Sequence, residues 1–315
     1  MKDEKNTKEI LNIIEYFPQR IKKQLLTLST EQLNTLTEIR IKKCKALVLC
    51  FRNELIFVGE NLSTTKQIEN AVIVSELEFN EIFSKICRFS IYSYEDQIIK
   101  GYITIKGGHR VGIIGTAILS ENKIVSIKDI SSLNIRISRE KIGAAKCIID
   151  KIGSNIKSTL IISPPSGGKT TILRDLAREL SVARKKVSII DERGEIASVY
   201  DGATNKDIGD FTDVLDGYPK EIGIMTAIKS MSPNVILCDE ISSKEDFDAV
   251  SGCFKNGVTI IATMHAESYE QLLKRDYIKK LIDIEIIQNV IELKGSDSPG
   301  EISRIIKTKN YKAGV

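Results

Sequence analysis

One stretch of this chain has the residue types and spacing to hold a phosphate: Ser163-Pro-Pro-Ser-Gly-Gly-Lys169-Thr170-Thr171. An apolar run, Thr159–Ser163, comes before it, and a helix-spaced run, Lys169–Leu180, comes after it. Strand, glycine-rich loop and helix in that order form the setting in which G-x-x-x-x-G-K-[ST] cradles phosphates. Ser163 stands where that pattern has its first glycine. Pro164 and Pro165 have no N–H, so the early loop only shapes the turn. The anion-facing donors must come from Gly167, Gly168, Lys169 and Thr170. The expected nucleotide contacts therefore run through Ser163, Pro164, Pro165, Ser166, Gly167, Gly168, Lys169, Thr170 and Thr171. Lys169 would reach the β- and γ-phosphates, and the Thr170 hydroxyl would bind Mg²⁺. Ser166 and Lys169 also fit an S-x-x-K nucleophile motif, but the phosphate loop explains their neighbours as well.

Phosphate chemistry of this kind needs an acid at the end of a nearby strand. Asn234-Val-Ile-Leu-Cys-Asp239-Glu240 supplies two. Asp239 is expected to hold Mg²⁺ and Glu240 to orient the attacking water. Two adjacent acids at a strand end suit hydrolysis better than transfer to a substrate hydroxyl. Asp191-Glu-Arg-Gly-Glu195 ends another apolar run, which makes Glu192 or Glu195 candidates beside the metal and water. Of the two histidines, His265 ends the run before Ala266, where it could sense a γ-phosphate. His109 sits in a glycine-rich turn, with no clear role.

Elements must carry these groups to one place. After Lys141 the sequence alternates strand and helix. Strands are expected at Thr159–Ser163, Val187–Asp191, Val235–Cys238 and Val258–Thr263. Helices are expected at Lys169–Leu180, Lys244–Phe254 and Ser268–Ile282. Ile286–Leu293 and Ile302–Lys307 read as two closing strands. This pattern gives an α/β fold with a mostly parallel sheet flanked by helices. Residues 1–140 read as an α+β domain and 141–315 as the phosphate-loop domain. In the first, two helices broken around Pro18 precede strands at Glu38–Ile41, Leu47–Phe51 and Leu55–Val58. Ser29 or Thr30 is the expected N-cap of the second helix. A helix at Ser75–Phe89 follows, then a hairpin of Tyr102–Ile105 and Val111–Ile114 around Gly107-Gly108. Ser126–Ser138 leads into the second domain.

Composition excludes several classes. With 42% apolar and 28% charged residues in 315, the chain is neither disordered nor collagen-like. Its six cysteines show no C-x-x-C spacing, which points to reduced thiols in a cytoplasmic protein rather than a zinc site or disulfide scaffold. No apolar run reaches the ~18 residues of a membrane span. The formal net charge of +4 arises entirely in residues 1–140, which hold 21 Lys+Arg and 17 Asp+Glu. Residues 141–315 hold 25 of each. A neutral phosphate-loop domain with scattered aromatics argues against a nucleic-acid partner.

With these motifs placed, the chain resembles the stage III sporulation AA family of endospore-forming bacteria. The resemblance rests on Tyr94–Gln97, Lys100–Gly112, Ser131–Arg139, Pro164-Pro165 with Gly168–Thr171, Asp191–Arg193, Thr212–Asp216 and Ser230–Glu240. It covers about residues 35 to 270. More distantly, the second domain is similar to the hexameric ATPases of type II and type IV secretion and pilus systems. Their acid-rich box corresponds to Asp191–Glu195 and their histidine box to Thr263–Ala266. Asp239-Glu240 stands where those proteins often have Gly-Glu.

The resemblance implies a RecA-like or AAA+ nucleotide-binding core that binds ATP and Mg²⁺. It also implies a homo-oligomeric, hexameric ring that works with other stage III sporulation membrane proteins. Such a ring would act from the mother-cell cytoplasm, at the membrane through those partners. Arginines of the first domain, Arg110, Arg136 or Arg139, would reach a neighbour's nucleotide. Two functions follow, an ATP hydrolase that drives motion or an ATP-binding scaffold with little turnover. A nucleic-acid motor ranks below both.

Overall fold

The computed structural model describes residues 9–51, 54–61, 63–153 and 156–310. The chain divides into two units, Met1–Arg139 and Glu140–Val315, each with a core of its own.

The first unit is built on a seven-stranded antiparallel sheet. Its centre is Leu36–Lys42, Lys123–Arg136 and His109–Ser120, joined in that order. Ile39, Ile41, Ile103, Ile105, Val111, Ile113, Leu133 and Ile135 alternate onto one buried face, as period-2 patterning requires. Helices 9–14, Gln19–Leu25, Thr30–Thr35 and Glu76–Ile86 contribute Ile13, Ile21, Leu33 and Phe79 to the same core.

The N-terminal helices number three among the described residues, where two are expected from the sequence. Pro18 starts the second, and Ser29 caps the third with a capping box to Gln32. Glu76–Ile86 is shorter than expected, because Arg88 and Phe89 have positive φ. Ser126–Ser138 carries the chain to the second unit, which begins at Glu140, but it is itself built into the first unit's sheet. Most of it belongs to the long Lys123–Arg136 strand, which pairs with His109–Ser120 over nearly its whole length. Beyond Ile114 this ribbon has no other strand beside it among the described residues, and Ile118, Leu119, Ile124 and Val125 are exposed.

In the second unit the sheet strands are β1 (Thr159–Ser163), β2 (Val187–Asp191), β3 (Thr212–Asp216), β4 (Val235–Cys238), β5 (Thr259–His265), β6 (Asn289–Leu293) and β7 (Ile302–Lys307). Their order is 3-2-4-5-1-6-7, parallel throughout except β7. β1, β2, β4 and β6 are buried along their whole length, which is why they read as mostly apolar runs without a polar alternate face. Helices α1 (Lys169–Val182), α2 (Lys220–Ser230) and α3 (Lys244–Lys255) pack on this sheet.

Sequence patterning passes over β3 and α2. β3 is an edge strand with only two apolar residues, and α2 has no clean apolar stripe. The single helix expected at Ser268–Ile282 is two, Tyr269–Leu272 and Asp276–Asp283. Arg275 between them is extended, and its guanidinium turns back to donate to the His265 carbonyl at 3.0 Å. All six cysteines are free, with Cys50, Cys87, Cys238 and Cys253 buried.

Candidate functional site

Register places the candidate residues at one end of the sheet. Ser163 at the end of β1 is level with His265 at the end of β5. Cys238 is level with Ala262, so Asp239 and Glu240 emerge beside the end of β5. On the far side of β4, β2 ends at Asp191. Carboxyl ends of parallel strands form the ligand crevice of such sheets.

The loop after β1 has two positions that need glycine. A Cβ on Gly167 would sit 2.3 Å from Ser163 Oγ. Gly168 has φ +86°, and its Cβ would lie 2.7 Å from the Gly300 amide nitrogen. Gly300 in turn donates its N–H to the Gly167 carbonyl at 2.9 Å, so the turn between β6 and β7 braces the loop from outside. Ser163, in place of the first glycine, is buried, and its hydroxyl donates to the Pro164 carbonyl at 2.7 Å. The serine thus closes the turn from within.

Gly168 caps α1, whose first helical bond runs from Ile172 N–H to the Gly168 carbonyl. The N–H groups of Lys169, Thr170 and Thr171 thus have no acceptor within the helix, the standard condition for an anion site at a helix start.

Lys169 Nζ is buried. It donates to Ser163 O and Oγ at 3.2 Å, to Pro164 O at 3.3 Å and to His265 Nδ1 at 3.0 Å. Burial pulls its pKa below the ordinary lysine value, against the pull of the Glu240 charge. An ammonium only donates, so His265 Nδ1 is the acceptor and the ring proton is on Nε2. Nε2 lies 3.7 Å from Glu240 Oε1. Lys169, His265 and Glu240 therefore form a chain across the site. Arg193 Nη1 stands 3.9 Å from the other oxygen of Glu240.

Asp239 is almost fully buried, and its Oδ1 accepts no hydrogen bond. Burial pushes its pKa up to about 6, only partly opposed by the Lys220 ammonium. Lys220, the first residue of α2, lies 3.6 Å from that oxygen and 2.5 Å from Glu192 Oε2. Burial works against the Lys220 charge, but its bond to Glu192 and the nearby acids outweigh this and raise its pKa. A buried carboxylate oxygen without a hydrogen bond among the described residues, at the same end of the sheet as the start of α1, suits Mg²⁺. That ion needs only one or two protein oxygens when phosphates supply others. Thr170 and Asp239 would hold it.

Asp191 is not a ligand candidate but an organiser. Its carboxylate accepts from the backbone N–H groups of Glu195, Ile196 and Ala197 at 2.8–3.0 Å, which folds the acid loop. Arg174 on α1 holds the same loop from behind. Its guanidinium donates to Ile196 O at 2.5 Å and Glu195 O at 2.6 Å.

Of the candidate arginines of the first unit, Arg110 and Arg136 lie on its sheet and Arg139 follows the last strand. Arg110 and Arg136 are cross-strand partners. Arg110 stacks over Tyr102 at 4.4 Å, and Arg136 faces Glu38 at 3.9 Å. Arg139 donates to Leu33 O at 2.9 Å. His109 is buried and accepts from the Ser138 N–H at 3.1 Å, which is a structural contact.

The model of the family "Sporulation stage III, protein AA" matches residues 4–313. The chain belongs to that family. It is 37% identical over 299 residues to Stage III sporulation protein AA of Bacillus subtilis (strain 168), covering 93% of this chain and 94% of that protein. A shorter match, 30% over 185 residues, is to the uncharacterised protein ycf45 of Cyanidium caldarium, with 55% of this chain and 52% of that protein aligned.

Among solved structures, the Legionella pneumophila ATPase DotB superposes with a TM-score of 0.55 at 18% identity, covering 87% of this chain and 77% of DotB. The pilus retraction motor PilT with bound ADP gives 0.55 at 12% identity, covering 83% and 75%. At such identities the likeness is one of fold. The chain thus belongs to a sporulation stage III family and shares the α/β fold of DotB and PilT, with an N-terminal α+β region. No helix among the described residues is long and apolar enough to cross a membrane.

Sequence patterning does not single out Lys220, Arg174, Arg275 and Gly300. Their partners at the site are distant in sequence, so no local spacing marks them. Gly300 carries a weak signal, a Pro-Gly pair in the turn between β6 and β7.

Proposed function

We propose that this protein is a Mg²⁺-dependent ATP hydrolase that powers a secretion-like membrane channel complex during endospore formation. The observation that carries this reading is the chain Lys169–His265–Glu240, drawn across the strand ends from a phosphate-loop helix start to a strand-end acid.

In this reading, backbone N–H groups of Gly168, Lys169, Thr170 and Thr171 bind the phosphates. Lys169 turns from the loop carbonyls to the β- and γ-oxygens. Glu240 accepts a hydrogen bond from the attacking water and aims it at the γ-phosphorus, and ADP leaves as the β–γ bridge breaks. When bound, Mg²⁺ neutralises charge on the phosphate oxygens. Thr170 and Asp239 would be its protein ligands, and Lys220 bridges Glu192 and Asp239. His265 links the lysine to the glutamate, so it can report whether a γ-phosphate is present.

The same reading makes the working unit a hexameric homo-oligomer in the mother-cell cytoplasm. It reaches the membrane through other stage III sporulation proteins, and Arg110, Arg136 or Arg139 completes a neighbour's site. The family membership and the DotB-like and PilT-like fold support it.

Phosphate release by the purified protein, with and without Mg²⁺, tests the reading. Glu240→Gln is expected to lower turnover by about 10³-fold, with ATP affinity changed by less than about threefold. Wild-type turnover in Glu240→Gln would refute the assigned mechanism. No turnover in either protein, with ATP still bound, would leave an assembly scaffold.

A further inference from the structure

At the end of the second unit's sheet away from the phosphate loop, a cavity of about 300 Å³ opens between Lys151, Lys157, Gln288, Asn289, Lys307 and Lys309. Strand register explains the gathering. Asn289 opens β6, level with Thr159 of β1 on one side and Lys307 of β7 on the other. Lys157, two residues before Thr159, and Lys307 therefore flank the same strand start. Lys151 lies in the last turn of the Lys146–Ile152 helix. Lys309 follows Thr308, which is tied down by its N–H to Gln288 O and its hydroxyl to Ile287 O.

The charge gathered here is not balanced. Lys309 pairs with Glu285 at 2.7 Å. Lys151, Lys157 and Lys307 have no ion pair and donate no side-chain hydrogen bond among the described residues. Among the described residues no carboxylate lines the opening. Residues 141–315 hold equal numbers of acids and bases, so the cluster is local rather than a product of composition. The floor is polar and fixed, with Asn289 buried and its Nδ2 donating to Thr159 Oγ1 at 3.4 Å. Three like charges held together without counter-charges favour an anion of more than one charge. Lysine binds phosphate as a point charge without strict geometry. The volume is at the small end for ligand sites, enough for an oligophosphate or a headgroup.

We propose that this cavity binds a phosphate-bearing anion, a soluble oligophosphate or a phospholipid headgroup, with Lys157 and Lys307 as principal counter-charges. β1 runs five residues from this end to the phosphate loop, about 15 Å, so the two sites are separate. The inference does not rest on the ATPase reading.

The test uses the full chain carrying Lys169→Ala, which silences the phosphate loop. Calorimetry with sodium tripolyphosphate forms one arm. Co-sedimentation with phosphatidylglycerol/phosphatidylcholine vesicles, against phosphatidylcholine alone, forms the other. At least one probe is expected to bind, with affinity falling about tenfold in Lys157→Gln/Lys307→Gln and kept in Lys157→Arg/Lys307→Arg. Tripolyphosphate binding identifies a soluble ligand, and binding confined to phosphatidylglycerol vesicles identifies a headgroup. Both side chains are exposed, and matched thermal melts confirm that the variants fold. No binding of either probe, or binding that the double glutamine variant retains, overturns the proposal.

Discussion

The phosphate loop and the acid loop leave the same end of one sheet, yet different forces hold them. The phosphate loop is shaped by space and backbone geometry. Two prolines set its entry, Gly168 takes a left-handed conformation, and Gly300 packs against its outer wall. The acid loop is shaped by charge. Three N–H groups converge on the Asp191 carboxylate, and Arg174 grips two carbonyls from behind. The first loop should therefore resist changes of size and tolerate loss of a polar group. The second should do the reverse.

The largest stability effect separating the two is expected from Gly168→Ala. Its Cβ meets backbone at 2.7 Å in a φ region that side chains rarely adopt. A loss of about 3 kcal/mol in urea unfolding is expected, and an unchanged midpoint would show that size is not the constraint.

Asp191→Asn keeps the volume but turns an acceptor into a donor facing backbone N–H groups. A loss of about 2 kcal/mol is expected, and wild-type stability would contradict a charge-built acid loop.

Asp239→Asn acts with the opposite sign. The folded carboxyl titrates at about 6 against 3.8 for an ordinary aspartate, because burial disfavours its charge. Well below pH 3.8 it is protonated whether folded or unfolded and contributes nothing. Between 4 and 6 the folded protein keeps a proton that the unfolded chain has released, so stability falls as pH rises. Above 6 the whole cost is present. Without Mg²⁺ or nucleotide, Asp239→Asn is expected to gain about 1–2 kcal/mol at pH 7 and about 0.5 kcal/mol or less at pH 4. Urea titrations at the two pH values decide this.

Ser163→Ala should have the smallest effect, about 0.5–1 kcal/mol, because it removes one hydroxyl from a loop otherwise fixed by its backbone. A calorimetric melt that drops as far as that of Asp191→Asn would erase the contrast.

Much of this site is legible in the sequence because its parts are local. An apolar run, a glycine pair, a lysine and a helix face mark the phosphate loop without any tertiary contact, and the runs before Asp191 and Asp239 mark their strands. The remainder depends on distance and on edges. β3 has one exposed side and too few apolar residues to register as a strand. Lys220 looks like an ordinary surface lysine until the fold sets it between Glu192 and Asp239. The Lys123–Arg136 strand is half projecting ribbon, where exposed Ile124 and Val125 and partly buried Ile127 and Ile130 follow no clean core pattern.

Arg174 gives α1 a second hold besides its cap. The helix begins at the proposed phosphate cradle and, five residues on, grips the backbone of the acid loop. At 1.5 Å of rise per residue, those two points are about 8 Å apart on one rod. A tilt or slide of the rod at its phosphate end is delivered to the Glu195 and Ile196 carbonyls, and a pull on those carbonyls returns to the cradle. Thermodynamic reciprocity makes the coupling equal in both directions: the free energy by which an occupied cradle biases the acid loop is the free energy by which a ligand at the acid loop biases the cradle.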